Sequence, residues 1–217
     1  MTVPRGERPD LPEYMTWDEL ERLPEELAEW IELRDRRVVW IGGEPPEHQM
    51  FTCRIWNALE RCSRAAETRN SHPSMRVVGL TALFFGYSGK SDFAIPDFMI
   101  HRELASPFQD ARAADALLVG EVLSPWSDRA DLEAKKTRYA SARIPWYWEV
   151  ALAREKRAIE TIRAYALETG HGQVPGGVCP LRPANYLVAG EWTPADTSGI
   201  EIDFPFPINI PWSELEY

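Results

Sequence analysis

Two carboxylates sit where carboxylates are expensive. Asp97 follows Pro96 at the head of an apolar run, and Glu121 lies inside Leu117-Leu118-Val119-Gly120-Glu121-Val122-Leu123, the most apolar stretch of the chain. A buried acid needs a partner or a metal. Carboxylate oxygens and water are the ligands Mg²⁺ prefers. Two such acids on neighbouring strands can share one divalent cation, which lowers the pKa of a water and stabilises charge on a phosphoryl oxygen. Fourteen residues after Glu121 comes Lys135, within Asp131-Leu132-Glu133-Ala134-Lys135-Lys136-Thr137-Arg138-Tyr139. On a helix Asp131, Lys135 and Tyr139 share one face, and an ammonium near the metal can orient water or offset transition-state charge. The plain alternative for Lys135 is a surface pair with Asp131. Lys136 points about 100° around the helix and is the poorer candidate.

These residues need elements to hold them. Thr16 and Glu19 form a capping box that starts a short helix to about residue 22, and Pro24 starts another to about residue 29. Apolar runs over 30–33 and 38–41 flank a charged turn and predict a hairpin, although it lacks the Gly that a tight primed turn prefers. Met50, Ile55, Leu59 and Cys62 recur at helical spacing and predict a long amphipathic helix over 47–67. Strands are expected over 75–85, 94–101 and 117–123, with Asp97 on the second. Ser127 or Asp128 caps a helix to about residue 142, and a hairpin follows over 145–150 and 158–165. Residues 170–184, with four Gly and three Pro, read as a loop. The strand–helix–strand around 117–150 implies a parallel strand pair. Trp146, Tyr147 and Trp148 suit alternating core and surface positions on a strand. The class is α+β: a mixed β-sheet flanked by helices, with an N-terminal helical segment and hairpin. A flexible segment over 1–14 precedes one domain over 15–217.

The chain has 217 residues and a net charge of −10. No run approaches the roughly 20 apolar residues of a membrane span, and the N-terminus lacks the apolar core of a secretory signal. Three Cys suit a reduced, cytoplasmic setting and make neither a disulfide framework nor a zinc pattern. The acidity argues against a general nucleic-acid coat protein. The charge is uneven, however: −7 over residues 1–49, −1 over 50–128, +4 over 129–163 and −6 over 164–217. Polyanion attraction would be strongest in the positive window. Arg154, Lys156 and Arg157 within it also suit a solvated turn.

The ordered motifs resemble the Uma2 family, within the PD-(D/E)XK restriction-endonuclease-like superfamily. They are Glu32-Leu33-Arg34-Asp35, Glu47-His48-Gln49, Pro96-Asp97, Glu121-Val122-Leu123-Ser124-Pro125, Asp131/Lys135/Tyr139 and Ile144-Pro145-Trp146-Tyr147-Trp148. The resemblance implies a nuclease-like core with Asp97 and Glu121 as metal ligands and Lys135 as the catalytic lysine. It also implies that Glu32 and His48 line the same site. In the wider superfamily the lysine lies two residues after the glutamate, where this chain has Leu123. Within the family it comes from the following helix. Arg36 and Arg143 stand where the family usually has Gly, and Ala151 where Asp is common.

The resulting expectation is a Mg²⁺- or Mn²⁺-dependent endonuclease acting on nucleic acid, DNA rather than RNA. Duplex symmetry leaves a homodimer open. A nuclease-like scaffold that binds a partner without cleaving is the competing expectation, and the net charge favours it.

Overall fold

The structure, a computed structural model, describes residues 9–42, 44–69, 74–86, 88–125, 127–169 and 184–216. The loop expected over 170–184 lies outside these, apart from its last residue. The elements run α1 (Trp17–Leu20), α2 (Glu25–Ala28), β1 (Ile31–Arg34), β2 (Arg37–Trp40), α3 (Pro46–Thr68), β3 (Met75–Gly79), β4 (Leu83–Phe84), β5 (Phe93–Ala94), β6 (Phe98–Arg102), β7 (Ala111–Arg112) and β8 (Ala116–Leu123). They continue with α4 (Arg129–Ser141), β9 (Trp146–Leu152), β10 (Ile159–Glu168), β11 (Asn185–Trp192), β12 (Gly199–Ile202), β13 (Ile208–Pro211) and a closing 3-10 turn, Trp212–Glu214.

The central sheet has the order β11-β10-β9-β8-β6-β3. Its one parallel pair is β8 with β9, joined by α4 as the strand–helix–strand pattern predicts. One face packs against α3 and the β12–β13 hairpin through Phe51, Ile55, Leu59, Phe98, Trp148 and Ile210. The other face carries α4 through Tyr139, with Met99, Val119 and Tyr147 in the same cluster. A smaller sheet, β2-β1-β5-β4-β7, buries Ile31, Leu33, Phe84 and Phe93 beneath the two short N-terminal helices. Burial of this kind contributes about 25 cal/mol per Å² of apolar surface.

Local chemistry explains most boundaries. Thr16 Oγ1 accepts the Glu19 N–H while Glu19 accepts the Thr16 N–H, so the capping box is complete. Asp128 caps α4 by accepting the Ala130 N–H at 2.8 Å. The β1–β2 turn is tight without glycine: Asp35 and Arg36 both take positive φ, 49° and 70°. The loop before β5 holds it there. Asp92 accepts the Asp35 N–H at 3.0 Å and the Ser91 carbonyl accepts the Arg36 N–H at 2.9 Å.

Three expectations need correction. The single strand over 75–85 is two strands in different sheets, β3 and β4, separated at Leu80, whose φ is +50°. The strand over 94–101 is likewise β5 and β6, and Asp97 lies in the crossover between them. Pro96 lacks the N–H that would continue a ladder. Finally, Tyr147 and Trp148 are both fully buried, on opposite faces of the sheet, so no surface position alternates with them. A central strand covered on both sides reads as a continuous apolar run.

Candidate active site

The crossover brings Asp97 to Glu121. Antiparallel pairing sets Phe98 opposite Gly120, which puts the residue before one beside the residue after the other. The Phe98 ring lies across Gly120, where a Cβ would collide with it. The Val122 N–H then donates to Asp97 Oδ2 at 2.7 Å, fixing the carboxylate against β8. His48, in the first turn of α3, places Nε2 3.1 Å from the same oxygen.

Glu121 faces the opposite layer. Tyr139 donates its hydroxyl to Glu121 Oε1 at 2.7 Å, and Lys135 Nζ donates to Oε2 at 3.1 Å. Lys135 Nζ is also 3.6 Å from Glu32 Oε1. Glu32 is fully buried, and its Oε1 accepts the Ile95 N–H at 2.8 Å. Its Oε2 is buried without a hydrogen-bond partner among the described residues, and Arg34 Nη2 stands 4.0 Å from it. The structure therefore gathers all five sequence-selected residues, Glu32, His48, Asp97, Glu121 and Lys135, into one connected cluster.

Helix α4 is locked in place by partners that sequence reasoning missed. Asp131 accepts from Arg34 at 2.7 Å rather than pairing with Lys135. Arg138 donates to the Leu33 carbonyl at 2.9 Å and pairs with Asp92. Residues 131, 135 and 138 follow helical spacing, so one face of α4 grips the β1 hairpin and delivers Lys135 to the acids. Lys136 turns to Glu149 on β9 at 2.7 Å. Tyr165 donates to the other Glu149 oxygen at 2.7 Å. These partners lie tens of residues apart, and no local pattern announces them.

Burial pushes the Glu121 carboxyl up to about 7; Lys135 opposes this, and the Asp97 and Glu32 charges reinforce it. For Lys135, burial works against the charge, but Glu121, Glu32 and Asp97 outweigh it and hold the ammonium above its usual range. Burial likewise lowers His48, yet its hydrogen bond to Asp97 and the charges of Asp97 and Glu44 leave it raised. Burial first, then the Glu121 charge, keeps Tyr139 protonated as a donor.

The donor set suits a hard divalent cation. Two carboxylates, Glu121 and Glu32, converge on one lysine with Asp97 nearby, and a buried acid oxygen is left without a partner among the described residues. The described residues contain no ready group of three or more His, Cys, Asp or Glu ligands. Asp97 and Glu121 would be the protein's share, with the other positions left to water and substrate oxygen. That division is typical of Mg²⁺ and unlike a closed zinc cage. Cys53 and Cys62 are free thiols on α3, one exposed and one buried.

No curated protein matches the chain. Among solved structures, a protein from Anabaena variabilis ATCC 29413, described as "a putative nuclease belonging to DUF820", superposes with a TM-score of 0.57 at 13% identity. The match covers 93% of this chain and 97% of that one, and it shows a shared fold. The Uma2 profile, described as "Putative restriction endonuclease", matches residues 17–175. That span is most of the chain and carries every residue of the cluster, so the chain belongs to the Uma2 family.

Proposed function

We propose that this protein is a divalent-metal-dependent endonuclease that hydrolyses phosphodiester bonds, in DNA rather than RNA, with Mg²⁺ or Mn²⁺ as the ion. The observation that carries the proposal is the pairing of buried Glu121 and Glu32 with Lys135, with buried Asp97 fixed on the neighbouring strand segment by the Val122 N–H. Family membership and fold support the same reading. A cation held by Asp97 and Glu121 supplies Lewis acidity toward a phosphoryl oxygen and makes water a better nucleophile. Lys135 keeps a positive charge beside those acids, where it offsets the charge that builds on the phosphate. Glu32 and Tyr139 aim Lys135 and Glu121 respectively, and His48 with the Val122 N–H holds Asp97 in one orientation. Restricting motion in this way lowers the barrier by pre-paying orientation.

The test is nicking of supercoiled plasmid and cleavage of labelled RNA, with Mg²⁺, with Mn²⁺ and with EDTA. The proposal expects metal-dependent nicking of plasmid that Asp97→Asn abolishes. The net charge of −10 favours a second reading, a nuclease-like scaffold that binds a partner without cutting. Wild-type protein that cleaves neither polymer with either metal would overturn the endonuclease and leave the scaffold.

A further inference from the structure

A cavity of about 330 Å³ opens beside the cluster, between the start of α3 and the β9–β10 turn. Its floor is apolar: Pro45, Phe51, Pro125 and Leu152. Its rim is the turn itself, Ala153 to Ala158, and Glu47. The cavity adjoins the site through the chain at two points. Glu47 precedes His48, and Pro125 ends the segment that begins with Glu121. It also lies where the parallel strands β8 and β9 end, the edge at which sheets of this kind bind ligands.

The turn is rigidly closed yet electrostatically open. The Ala153 N–H donates to the Ala158 carbonyl at 2.9 Å and the Ala158 N–H to the Lys156 carbonyl at 2.8 Å, so residues 154–157 form a short tip. Arg157 is tied to Glu47 at 3.0 Å, which anchors the tip to α3. Arg154 and Lys156 flank Glu155 and are exposed. Neither has a side-chain hydrogen bond or ion pair with a described residue. Elsewhere Arg34, Arg61, Arg64, Arg76, Arg138 and Arg163 all pair with carboxylates. Other cations, Arg54, Arg69 and Arg129 among them, also lack a carboxylate among the described residues. Arg154 and Lys156 are set apart by standing together on the rim of this cavity, within the one positive window of a chain of net charge −10, where an anion would be attracted.

From this placement we infer that the β9–β10 turn is a phosphate-binding subsite for the nucleic-acid strand beyond the cleavage point. Arg154 and Lys156 hold the phosphates, and the apolar floor receives the adjoining sugar face. The inference rests on the endonuclease reading and adds to it a track for the strand. The turn contributes no group to the chemistry itself, so its role is in binding.

The test measures binding of a short fluorescein-labelled DNA duplex by fluorescence anisotropy across a salt series, with Ca²⁺ replacing Mg²⁺. Wild type is compared with Arg154→Ala/Lys156→Ala and with Arg64→Ala/Arg76→Ala, which removes equal charge elsewhere. Plasmid nicking with Mg²⁺ is measured alongside. The inference expects about a tenfold rise in Kd for the turn variant at low salt, and a salt slope shallower by about 1–2, with the control near wild type. Unchanged binding by the turn variant overturns the subsite, as does equal weakening in both variants. In either case retained wild-type nicking leaves the endonuclease reading standing. Wild type that neither binds nor nicks overturns both.

Discussion

Two glutamates face each other across the parallel pair: Glu121 on β8 is in register with Glu149 on β9. Each takes a lysine from α4 and a tyrosine hydroxyl. Consecutive lysines, 135 and 136, diverge to serve the two strands. The difference lies in the surroundings. Glu149 has one lysine and one tyrosine; the lysine also reaches the exposed Glu133 at 3.1 Å and sits 4.4 Å from the Tyr165 ring centroid. Its charge is balanced and its lysine is covered. Glu121 shares its lysine with Glu32, and Asp97 stands beside it. Three acids around one ammonium leave an excess of negative charge that burial makes costly. A closed ion pair holds a fold together, whereas an acid surplus at the same depth is suited to take up a further cation.

Substitution should separate the two sets. Asp97→Asn keeps the shape but removes a charge from the surplus. It should cut metal-dependent nicking by at least about 100-fold while the melting temperature stays level or rises, as measured by plasmid assay and thermal denaturation. Glu149→Ala should do the reverse. It strands the Tyr165 hydroxyl and leaves Lys136 only the exposed Glu133, costing about 1–3 kcal/mol in chemical denaturation, because the groups that met the carboxylate are left unsatisfied. At about 2–4 °C per kcal/mol for a chain of this size, a lowered melting temperature would show it. Comparable loss of stability in both variants would erase the distinction.

pH probes the surplus without mutation. The Glu121 carboxyl is raised from 4.5 to about 7 in the folded protein. A raised carboxyl favours folding while it is protonated, and that stability is lost as pH climbs from 4.5 through 7. His48, raised above 6.5, contributes in the same direction: its stabilisation is complete below its unfolded value and fades above its folded one. Lys135 is protonated throughout this range in both states and adds no slope. The metal-free protein should therefore melt higher at about pH 5.5 than at about pH 8. Glu121→Gln should flatten that difference, and Mg²⁺ should raise the melting temperature more at the higher pH. A profile that Glu121→Gln leaves unchanged would place the slope elsewhere.

Chemistry that follows chain order was legible in the sequence, and chemistry that depends on distant folding was not. The capping box at Thr16, the amphipathic α3 and the parallel crossover each lie in one continuous stretch of sequence. An acid inside an apolar run marked Glu121, and helical spacing marked Lys135. The break at Leu80 was hidden because two short strands in different sheets show the same β-rich composition as one longer strand. Glu149 carries no local mark of its role, because its partners come from α4 and β10. Arg34 and Asp131, 97 positions apart, meet only once α4 has docked on the hairpin.

Both lysines stand on α4, and that helix ends without the glycine such an end prefers. The Ile144 N–H donates to the Tyr139 carbonyl at 3.2 Å and the Arg143 N–H to the Ala140 carbonyl at 2.9 Å, the bonding pattern of a Schellman stop. That stop needs a left-handed residue, and Arg143 adopts φ +60° without being glycine. The left-handed region costs an L side chain about 1–2 kcal/mol, offset in part by glycine's larger entropy loss on folding, about 0.5–1 kcal/mol. Arg143→Gly should therefore stabilise the protein by up to about 1 kcal/mol, read in denaturant midpoint. Arg143 contacts neither glutamate set, so nicking and the response to Glu149→Ala should stay as they are. If Arg143→Gly alters nicking while stability rises, the end of α4 is tuning Lys135. The contrast between the two glutamates would then be a property of the helix rather than of the acids around them.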